Sequence, residues 1–526
     1  MATSLQVTGT WILIGIYAGM VLYFVIRGAL SIKNISDYAV GNVSFSPVAI
    51  GLSLAASITS AATFVINPGL IAVYGLAGVL SFGFVFPVAS MISLVVLSKA
   101  FRKYGQSVKA LTIAQWIGVR YKSKGYALFM AFLSLLLITF IVLILVAITK
   151  VLSKSLNVDE IYILIGLITF VFGYMMFGGA NSMVYTNTIQ AIIMIFVAFI
   201  LLGSGYEHFK GGIDAFLAKF STIDPNLART TNPASLLFRD YFEIIFAQAI
   251  VGIAVVCQPH IITKSLLLKK EKDVNKFLYT AVIVQMLFYS VIVVGMYARL
   301  TFPDLSIDGV PLKTDGIIPA YVLQVFAKGW VSVIIGLIVV LGLISAGMST
   351  LEGLIQSVST TITSDIIQVL FGKQIKNQNT YIYINRAVII ALAVVSFFIT
   401  YDQILYPKLS VAILAQNGVY AYFSVAFIPI LFGIFSKRSG LIPPLAASIT
   451  ALVVYFSVYY FLPVLVQSYQ LDFGFYTKYL EGGIRNPAIA SSTAIVFSAL
   501  VGMALMMYQK RVEKSEIRYE RLQGNL

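Results

Sequence analysis

Polar side chains recur along one face of a long apolar stretch in the second half of the chain, and their types suit the binding of a small hard cation. Four small or hydroxyl-bearing residues follow the helical spacing i, i+3, i+4 and i+7: Ala346, Ser349, Thr350 and Gly353. Hard cations prefer oxygen ligands, which hydroxyl groups supply. Glu352 adds a carboxylate, which is costly inside a membrane and therefore marks a functional site by default. The alternative is that small residues only let two helices approach closely, while the hydroxyls bond their own backbone.

The elements that must position this face are membrane-spanning helices. Hydrophobic residues make up 59% of the 526 positions and charged residues only 11%, and the mean hydropathy is +0.92. A soluble protein carries about 25% charged residues. Thirteen apolar segments have the length of a membrane span: 8–27, 46–75, 77–98, 126–149, 160–178, 184–205, 242–262, 277–298, 331–364, 384–401, 409–435, 440–462 and 487–508. The composition therefore predicts an all-α polytopic membrane protein.

The distribution of basic residues predicts how these spans are oriented. If the N-terminus is outside, the inner loops and the C-terminal tail hold 24 of the 36 Lys and Arg residues, as the positive-inside rule requires. The net charge of +15 is then loop charge that sets topology, so we expect no nucleic-acid partner. The prediction is a multi-pass protein of the plasma (inner) membrane, with the N-terminus outside and the C-terminus cytoplasmic. It lies in the lipid bilayer and needs no obligate protein partner.

Residues that carry catalytic chemistry are scarce, so an enzyme is not expected. The chain has one cysteine, Cys257, and two histidines, His208 and His260. A nucleophile paired with a base, or a metal cluster of Cys and His, requires more such residues than these scattered three.

Two of the predicted spans contain polar residues and helix breakers. The second span has several hydroxyl residues before Asn67-Pro68-Gly69, and the seventh ends at Gln258-Pro259-His260. Interrupted helices line cavities and free carbonyl groups for ions, although Pro and Gly are also ordinary in membrane helices. Five spans separate the start of one from the start of the other, which predicts an inverted repeat of two five-helix halves.

The chain divides accordingly into six parts. They are a peripheral first span with an inner loop (1–45), a first five-helix repeat (46–206), an outer segment (207–241), a second five-helix repeat (242–435), two C-terminal spans (436–509) and a cytoplasmic tail (510–526).

Five short motifs occur in order along nearly the whole chain. They are Ser36-Asp37-Tyr38-Ala39-Val40-Gly41, Gly178-Gly179 with Tyr185-Thr186-Asn187-Thr188-Ile189-Gln190-Ala191, Gln258-Pro259-His260-Ile261, Ser349-Thr350, and Gly433-Ile434-Phe435-Ser436-Lys437. In this order and spacing the chain resembles the sodium:solute symporter family, which includes proline, pantothenate, monocarboxylate, sialic acid and sodium–glucose cotransporters. The resemblance implies a LeuT-like fold, with one helix before the five-plus-five core and two after it. It also implies sodium-coupled symport of a small organic solute into the cell by alternating access.

The resemblance further implies a sodium site at five positions. Its ligands would be backbone carbonyls of Ala56, Thr59 and Ala346 and the hydroxyls of Ser349 and Thr350. Na⁺ is a hard cation, and a handful of neutral oxygens can hold it without trapping it. Na⁺ is therefore the expected coupling ion.

One departure from the family concerns Glu352. Some relatives carry an Asp where this chain has Asn187, and a serine where it has Glu352, so the carboxylate has moved to the facing helix. We expect Glu352, with Asn187 and Ser349 nearby, to form a second cation site or to carry a proton. In the second case, the alternative function is a proton-coupled transporter on the same scaffold. Otherwise the second site is lost, and Glu352 is neutral and hydrogen-bonded in the core.

The solute is expected near the midplane, between the broken helices and the third and eleventh spans. The candidate lining residues, whose polar members could equally bond neighbouring helices, are Ser60, Thr63, Phe82, Gln248, Gln416 and Asn417. Sugar-carrying relatives have Gln and Glu at the positions of Thr63 and Phe82, and a site without those hydrogen-bonding partners rejects a sugar. A small carboxylate, an amino acid or a vitamin acid is therefore expected. No Arg or Lys is apparent at membrane depth, so a helix N-terminus would have to hold a carboxylate.

Overall fold

The computed structural model describes residues 2–30, 32–41, 43–108, 110–268, 270–372, 374–375, 377, 379–407, 410–436 and 440–523. Six basic residues that the topology argument assigns to inner loops lie outside this set: Lys109, Lys269, Lys373, Lys376, Lys437 and Arg438.

The described residues fold almost entirely into helices, which confirms the predicted fold class. The one strand pair among them joins Ser306–Ile307 to Val310–Pro311 in an antiparallel hairpin. We number the long helices α1 Ser4–Ala29, α2a Pro47–Ile58, α2b Ala62–Tyr74, α3 Leu76–Arg102, α4 Lys124–Leu156, α5 Glu160–Met175, α6 Ala180–Gly203, α7a Phe242–Cys257, α7b Pro259–Leu267, α8 Glu271–Thr301, α9 Trp330–Phe371, α10 Thr380–Leu405, α11 Val411–Phe435, α12 Ile442–Tyr469 and α13 Pro487–Val512. Shorter helices between them are Ile35–Val40, Ile113–Arg120, Tyr206–Phe209, Gly212–Ile223, Pro225–Ala228, Thr314–Gly316, Ile317–Val325, Gly474–Tyr476 and Thr477–Leu480.

The predicted number of thirteen membrane spans is not confirmed. In the described part of the chain, ten continuous helices are long and apolar enough to cross a membrane, and the bent pairs α2 and α7 bring the number to as many as twelve. The predicted span 160–178 is not among these twelve, because it corresponds to α5, which has only 16 residues. At about 1.5 Å per residue α5 is about 24 Å long, whereas the hydrocarbon core of a bilayer is about 30 Å thick.

Helix α2 is interrupted, as the sequence predicts, and bends by 53°. The helical conformation stops after Ile58, because the backbone of Thr59 adopts φ −91° and ψ 81°. The interruption therefore precedes the Asn67-Pro68-Gly69 motif instead of coinciding with it. Pro68 lies inside α2b, in the first turn of the α-helical stretch Asn67–Tyr74, which follows a π-helical turn at Ala62–Ile66.

Helix α7 is also interrupted and bends by 62°. The backbone of Gln258 is extended, with ψ 139°, because the ring of a following proline disfavours helical conformation in the preceding residue. The second half, α7b, then packs against α2a and α9. Both broken helices are therefore neighbours of the polar face on α9.

Helix α9 is enclosed by other helices along its polar part. It contacts α2a, α4, α6 and α7b, and every residue from Leu343 to Gln356 is buried. Side chains of Val197 on α6 and Ile148 on α4 occupy the space that a Cβ atom would need at Gly342 and Gly347. Small residues thus do permit close packing of α9 against α6 and α4.

A pH-dependent effect on stability is expected at Asp315, which lies in the turn before the Ile317–Val325 helix. Burial raises the pKa of Asp315 from 3.8 to about 6, although Lys150 and Lys313 lie close enough to oppose the shift. The folded state therefore binds the proton more tightly than the unfolded chain, so stability falls as the pH rises through about 4 to 6. We expect Asp315→Asn to stabilise the protein by about 1–2 kcal/mol near pH 7.5 and to have little effect near pH 4.

The measurement is the free energy of unfolding of wild type and Asp315→Asn at both pH values. Lys313→Gln is the matched control, because it changes a neighbouring charge but should lower stability near pH 7.5. An Asp315→Asn variant less stable than wild type near pH 7.5 would contradict the expectation.

Candidate functional site

Oxygen atoms from α2a and α9 meet where α2 is interrupted. The Ser349 hydroxyl donates to the carbonyl of Ala56 at 2.9 Å and to the carbonyl of Ala346 at 3.1 Å. The Thr350 hydroxyl donates to the carbonyl of Ser57 at 3.0 Å. The last carbonyls of a helix lack intrahelical donors, so the interruption leaves the Ala56 and Ser57 oxygens available to α9.

Thr59, the fifth residue implied for the sodium site, lies at the break itself. Its side chain is buried, and its hydroxyl oxygen has no hydrogen-bond partner among the described residues. A buried polar atom without a partner is uncommon in a native structure and calls for an explanation, such as a role in ion binding. Carbonyl and hydroxyl oxygens are the neutral oxygen ligands that a hard cation accepts. The residues present therefore fit Na⁺.

A small cavity of ≈ 100 Å³ lies beside the same break. Four of the six residues predicted to contact the solute line it: Ser60, Thr63, Phe82 and Gln416. Gln248 is buried but does not line this cavity. Asn417 does not line it either, because one step along a helix turns the side chain by about 100°, and its carbonyl accepts from Tyr455 on α12 at 3.1 Å. Phe84 is 62% exposed on the outer face of α3, whereas Phe86 lines the cavity.

Several polar residues that the sequence analysis did not select also line the cavity. They are Asn67, Gln258, His260, Tyr289 and Tyr420. Among the described residues, no hydrogen-bond partner is present for either ring nitrogen of His260. The Oε1 atom of Gln258 also has none. Unpaired groups at a cavity are available to a ligand. The Gln-Pro-His motif marked this break, but the sequence could not show which side chains turn inward.

Lys264 belongs to a helix, although the positive-inside count includes it among the inner-loop residues after the seventh span. It lies on α7b, and its side chain is 2% exposed. The ammonium nitrogen donates to the carbonyl of Ser53 at 2.7 Å, to the Ser53 hydroxyl at 2.8 Å and to the Ser57 hydroxyl. No Arg or Lys is apparent at membrane depth from sequence, whereas Lys264 is buried between α7b and α2a. The spacing i, i+4 from His260 could have indicated that both residues share one inward face.

Glu352 is buried on α9, with 1% of its surface exposed. Its carboxylate accepts hydrogen bonds from the Tyr174 hydroxyl at 2.6 Å and the Thr186 hydroxyl at 2.5 Å, and from the Gln190 amide at 3.4 Å. The hydroxyl of Ser349 is directed to α2a and not to this carboxylate. The predicted second site consisted of Glu352, Asn187 and Ser349. The side chain of Ser349 does not reach the Glu352 carboxylate and instead contacts α2a.

Asn187 lies between the carboxylate and the ammonium. With its amide oriented to satisfy both neighbours, the amide nitrogen donates to Oε2 of Glu352 at 3.1 Å, and the amide oxygen accepts from Nζ of Lys264 at 3.0 Å. The orientation follows from the hydrogen-bond network. Asn187 and Glu352 are therefore together, as predicted, but their third partner is Lys264.

Comparisons with known proteins agree with this architecture. The family model described as "Sodium:solute symporter family" matches residues 38–450. The chain is 27% identical to the sodium/pantothenate symporter of Haemophilus influenzae over 69% of this chain and 72% of that protein. It is 25% identical to the Escherichia coli sodium/pantothenate symporter over 80% of this chain and 84% of that protein. A solved Na⁺-coupled sialic acid symporter, in a substrate-bound outward-open state, has the same fold, with a TM-score of 0.70 and 16% identity over 94% of this chain and 98% of that chain.

Proposed function

Because the chain belongs to the sodium:solute symporter family, we propose that its coupling sodium ion binds where α2a meets α9. Sodium-coupled symport of a small solute across the membrane is the activity of this family. The ligands are the carbonyls of Ala56, Thr59 and Ala346 and the hydroxyls of Ser349 and Thr350. The observation that supports this position is the Ser349 hydroxyl, which lies 2.9 and 3.1 Å from two carbonyl oxygens on different helices.

The break in α2 couples this ion to the solute. Thr59 belongs to the proposed ion site, while its neighbours Ile58 and Ser60 line the cavity. An ion that draws α2a and α9 together therefore also fixes one wall of the solute site. Such coupling is reciprocal. Bound solute must therefore raise the affinity for sodium by the same factor by which bound sodium raises the affinity for the solute. Sodium entry, aided by about 2.3 kcal/mol per charge for each 100 mV of membrane potential, then drives uphill solute uptake.

We propose that the solute is a small carboxylate, an amino acid or a vitamin acid such as pantothenate, and not a sugar. The described lining of the cavity has aromatic walls, including Phe82, Phe86 and Phe140, and no Arg, Lys, Asp or Glu. His260 can donate a hydrogen bond to a carboxylate, which replaces the helix N-terminus expected from sequence. The similarity to pantothenate symporters supports the same class of solute.

We further propose that 46–206 and 242–435 are the two repeats, in a plasma-membrane protein with an outer N-terminus and an inner C-terminus. Each repeat begins with a broken helix, and the two bends of 53° and 62° are similar. Cysteine labelling from outside intact cells, at single cysteines introduced near residues 3 and 485, tests the orientation.

A thermal-shift screen tests the coupling ion and the solute class together. Purified protein is heated with small carboxylates, amino acids, vitamin acids and sugars, in NaCl and in choline chloride at one pH. A ligand that binds the folded state raises its apparent stability, so we expect a small acid to raise the unfolding temperature in NaCl only. Equal stabilisation in both salts would overturn sodium coupling and favour the proton-coupled alternative. A sugar as the only hit would overturn the solute class.

Substitution of Gln416 tests the solute cavity. Gln416→Leu should weaken binding of the screened solute about tenfold, because one hydrogen bond to the solute is lost in a buried site. Sodium affinity measured without solute should stay unchanged. Gln248→Leu is the matched control, since Gln248 is buried on α7a but does not line the cavity. Equal losses in both variants would place the solute elsewhere.

A further inference from the structure

Two opposite charges are buried close to each other without forming a direct ion pair. The ammonium of Lys264 and the carboxylate of Glu352 lie on α7b and α9, and neither side chain is more than 2% exposed. Among the described ion pairs they are not joined, whereas Asn187 contacts both charges. Burying an isolated charge is expensive, so each charge here requires the other, with the dipole of Asn187 aligned between them.

The surroundings of the ammonium are those of a bound monovalent cation. Its oxygen neighbours are the Ser53 carbonyl, the hydroxyls of Ser53 and Ser57, and the amide oxygen of Asn187, within 3.0 Å. An ammonium has three donors and no acceptor, so it is held only by oxygens, as Na⁺ would be. One carboxylate, that of Glu352, balances the charge.

We propose that the Lys264 ammonium is a tethered cation that permanently fills a second cation site, so that the protein binds a single sodium ion in each cycle. The inference rests on the proposed function, because the single exchangeable ion is the one proposed between α2a and α9. It also replaces the expectation that Glu352, Asn187 and Ser349 recruit a free cation or a proton.

The tethered cation and the proposed sodium site share one residue. The Ser57 hydroxyl accepts from Lys264, while the Ser57 carbonyl accepts from Thr350. The Ser57 hydroxyl also lies 3.2 Å from the carbonyl of Ser349. Lys264 therefore holds the last turn of α2a in the position where its carbonyls face α9. A free ion would leave and return during transport, whereas the tethered ammonium keeps this turn ordered throughout the cycle.

Counting bound sodium ions in lysine variants tests the proposal. Full-length protein in lipid nanodiscs is titrated with radioactive sodium, and ions per protein are counted. Wild type should bind one ion. Lys264→Ala removes the ammonium and leaves an oxygen-lined space beside a carboxylate, so this variant should bind two. Lys264→Met is the matched control, because it loses the same charge but fills the space and should bind one.

A double variant keeps the test independent of folding defects. Lys264→Ala with Glu352→Gln removes both charges and should bind one ion, and NaCl should raise the unfolding temperature of Lys264→Ala more than that of wild type. Two ions on wild type, or one ion on a folded Lys264→Ala variant, would overturn the tethered cation while leaving sodium symport intact. If Lys264→Ala cannot be purified, the wild-type count alone decides, since two ions overturn the proposal and one supports it. Absence of sodium binding in wild type would instead overturn the proposed function, and the inference with it.

Discussion

Replacement of Ser349 by alanine is expected to lower the affinity for sodium about 10- to 100-fold. The Ser349 hydroxyl contacts carbonyls on both α2a and α9, and both carbonyls belong to the proposed site. A hydrogen bond or ligand contact to a charged group is worth about 1.5–3 kcal/mol, and about 1.4 kcal/mol corresponds to a factor of ten. Because ion and solute are coupled, apparent solute affinity at low sodium should fall as well.

The measurement is sodium-dependent stabilisation of the purified protein, followed by solute binding at low and saturating sodium. Ser357→Ala is the matched control, because Ser357 lies two turns further along α9 and its hydroxyl bonds only to carbonyls of its own helix. At saturating sodium, Ser349→Ala should recover solute binding, since the solute cavity is intact. A sodium affinity unchanged by Ser349→Ala, or reduced equally by Ser357→Ala, would place the ion elsewhere.

The elements of the fold were predictable from sequence because membrane helices depend on local composition. Apolar length alone identified the long helices, and Pro259 identified the break in α7 through the conformation it imposes on Gln258. The break in α2 was predicted too, but not its position. Nothing local in Thr59 forbids a helix, and the interruption depends on carbonyls that bond to a helix almost three hundred residues away in sequence.

The polar network was predictable only in part, because side-chain partners depend on tertiary packing. The hydroxyl spacing on α9 and the carboxylate of Glu352 stood out, since both are unusual in an apolar helix. Lys264 did not, because a lysine a few residues beyond an apolar segment is what an ordinary cytoplasmic loop also contains. Gln416 and Asn417 are indistinguishable in sequence, yet only the first lines the cavity. The rotation of a helix about its own axis, which tertiary packing sets, decides which of two adjacent side chains faces the cavity.

Loss of either buried charge alone is expected to destabilise the protein by about 3 kcal/mol or more, and loss of both by much less than the sum. Removing one partner of a buried pair leaves the other charge uncompensated, which typically costs about 3–5 kcal/mol, whereas replacing both can be nearly neutral. Lys264→Met and Glu352→Gln preserve side-chain volume, so cavity effects are small. The double variant should therefore show a coupling of at least about 1 kcal/mol, although Asn187 separates the charges.

The double-mutant cycle of Lys264→Met and Glu352→Gln is measured by unfolding titrations in mixed micelles. Choline chloride is the salt, so that sodium cannot replace the missing ammonium. Lys210→Met and Glu207→Gln provide the comparison cycle. Their charges lie 3.2 Å apart, and the side chains keep 61% and 69% of their surface exposed. Water screens an exposed pair, so its coupling should stay below about 1 kcal/mol. Additive losses at Lys264 and Glu352 would mean that the two charges do not compensate each other. The structural basis for a tethered cation would then be removed, because an ammonium held by the oxygens of Ser53, Ser57 and Asn187 alone has no reason to require the carboxylate on α9.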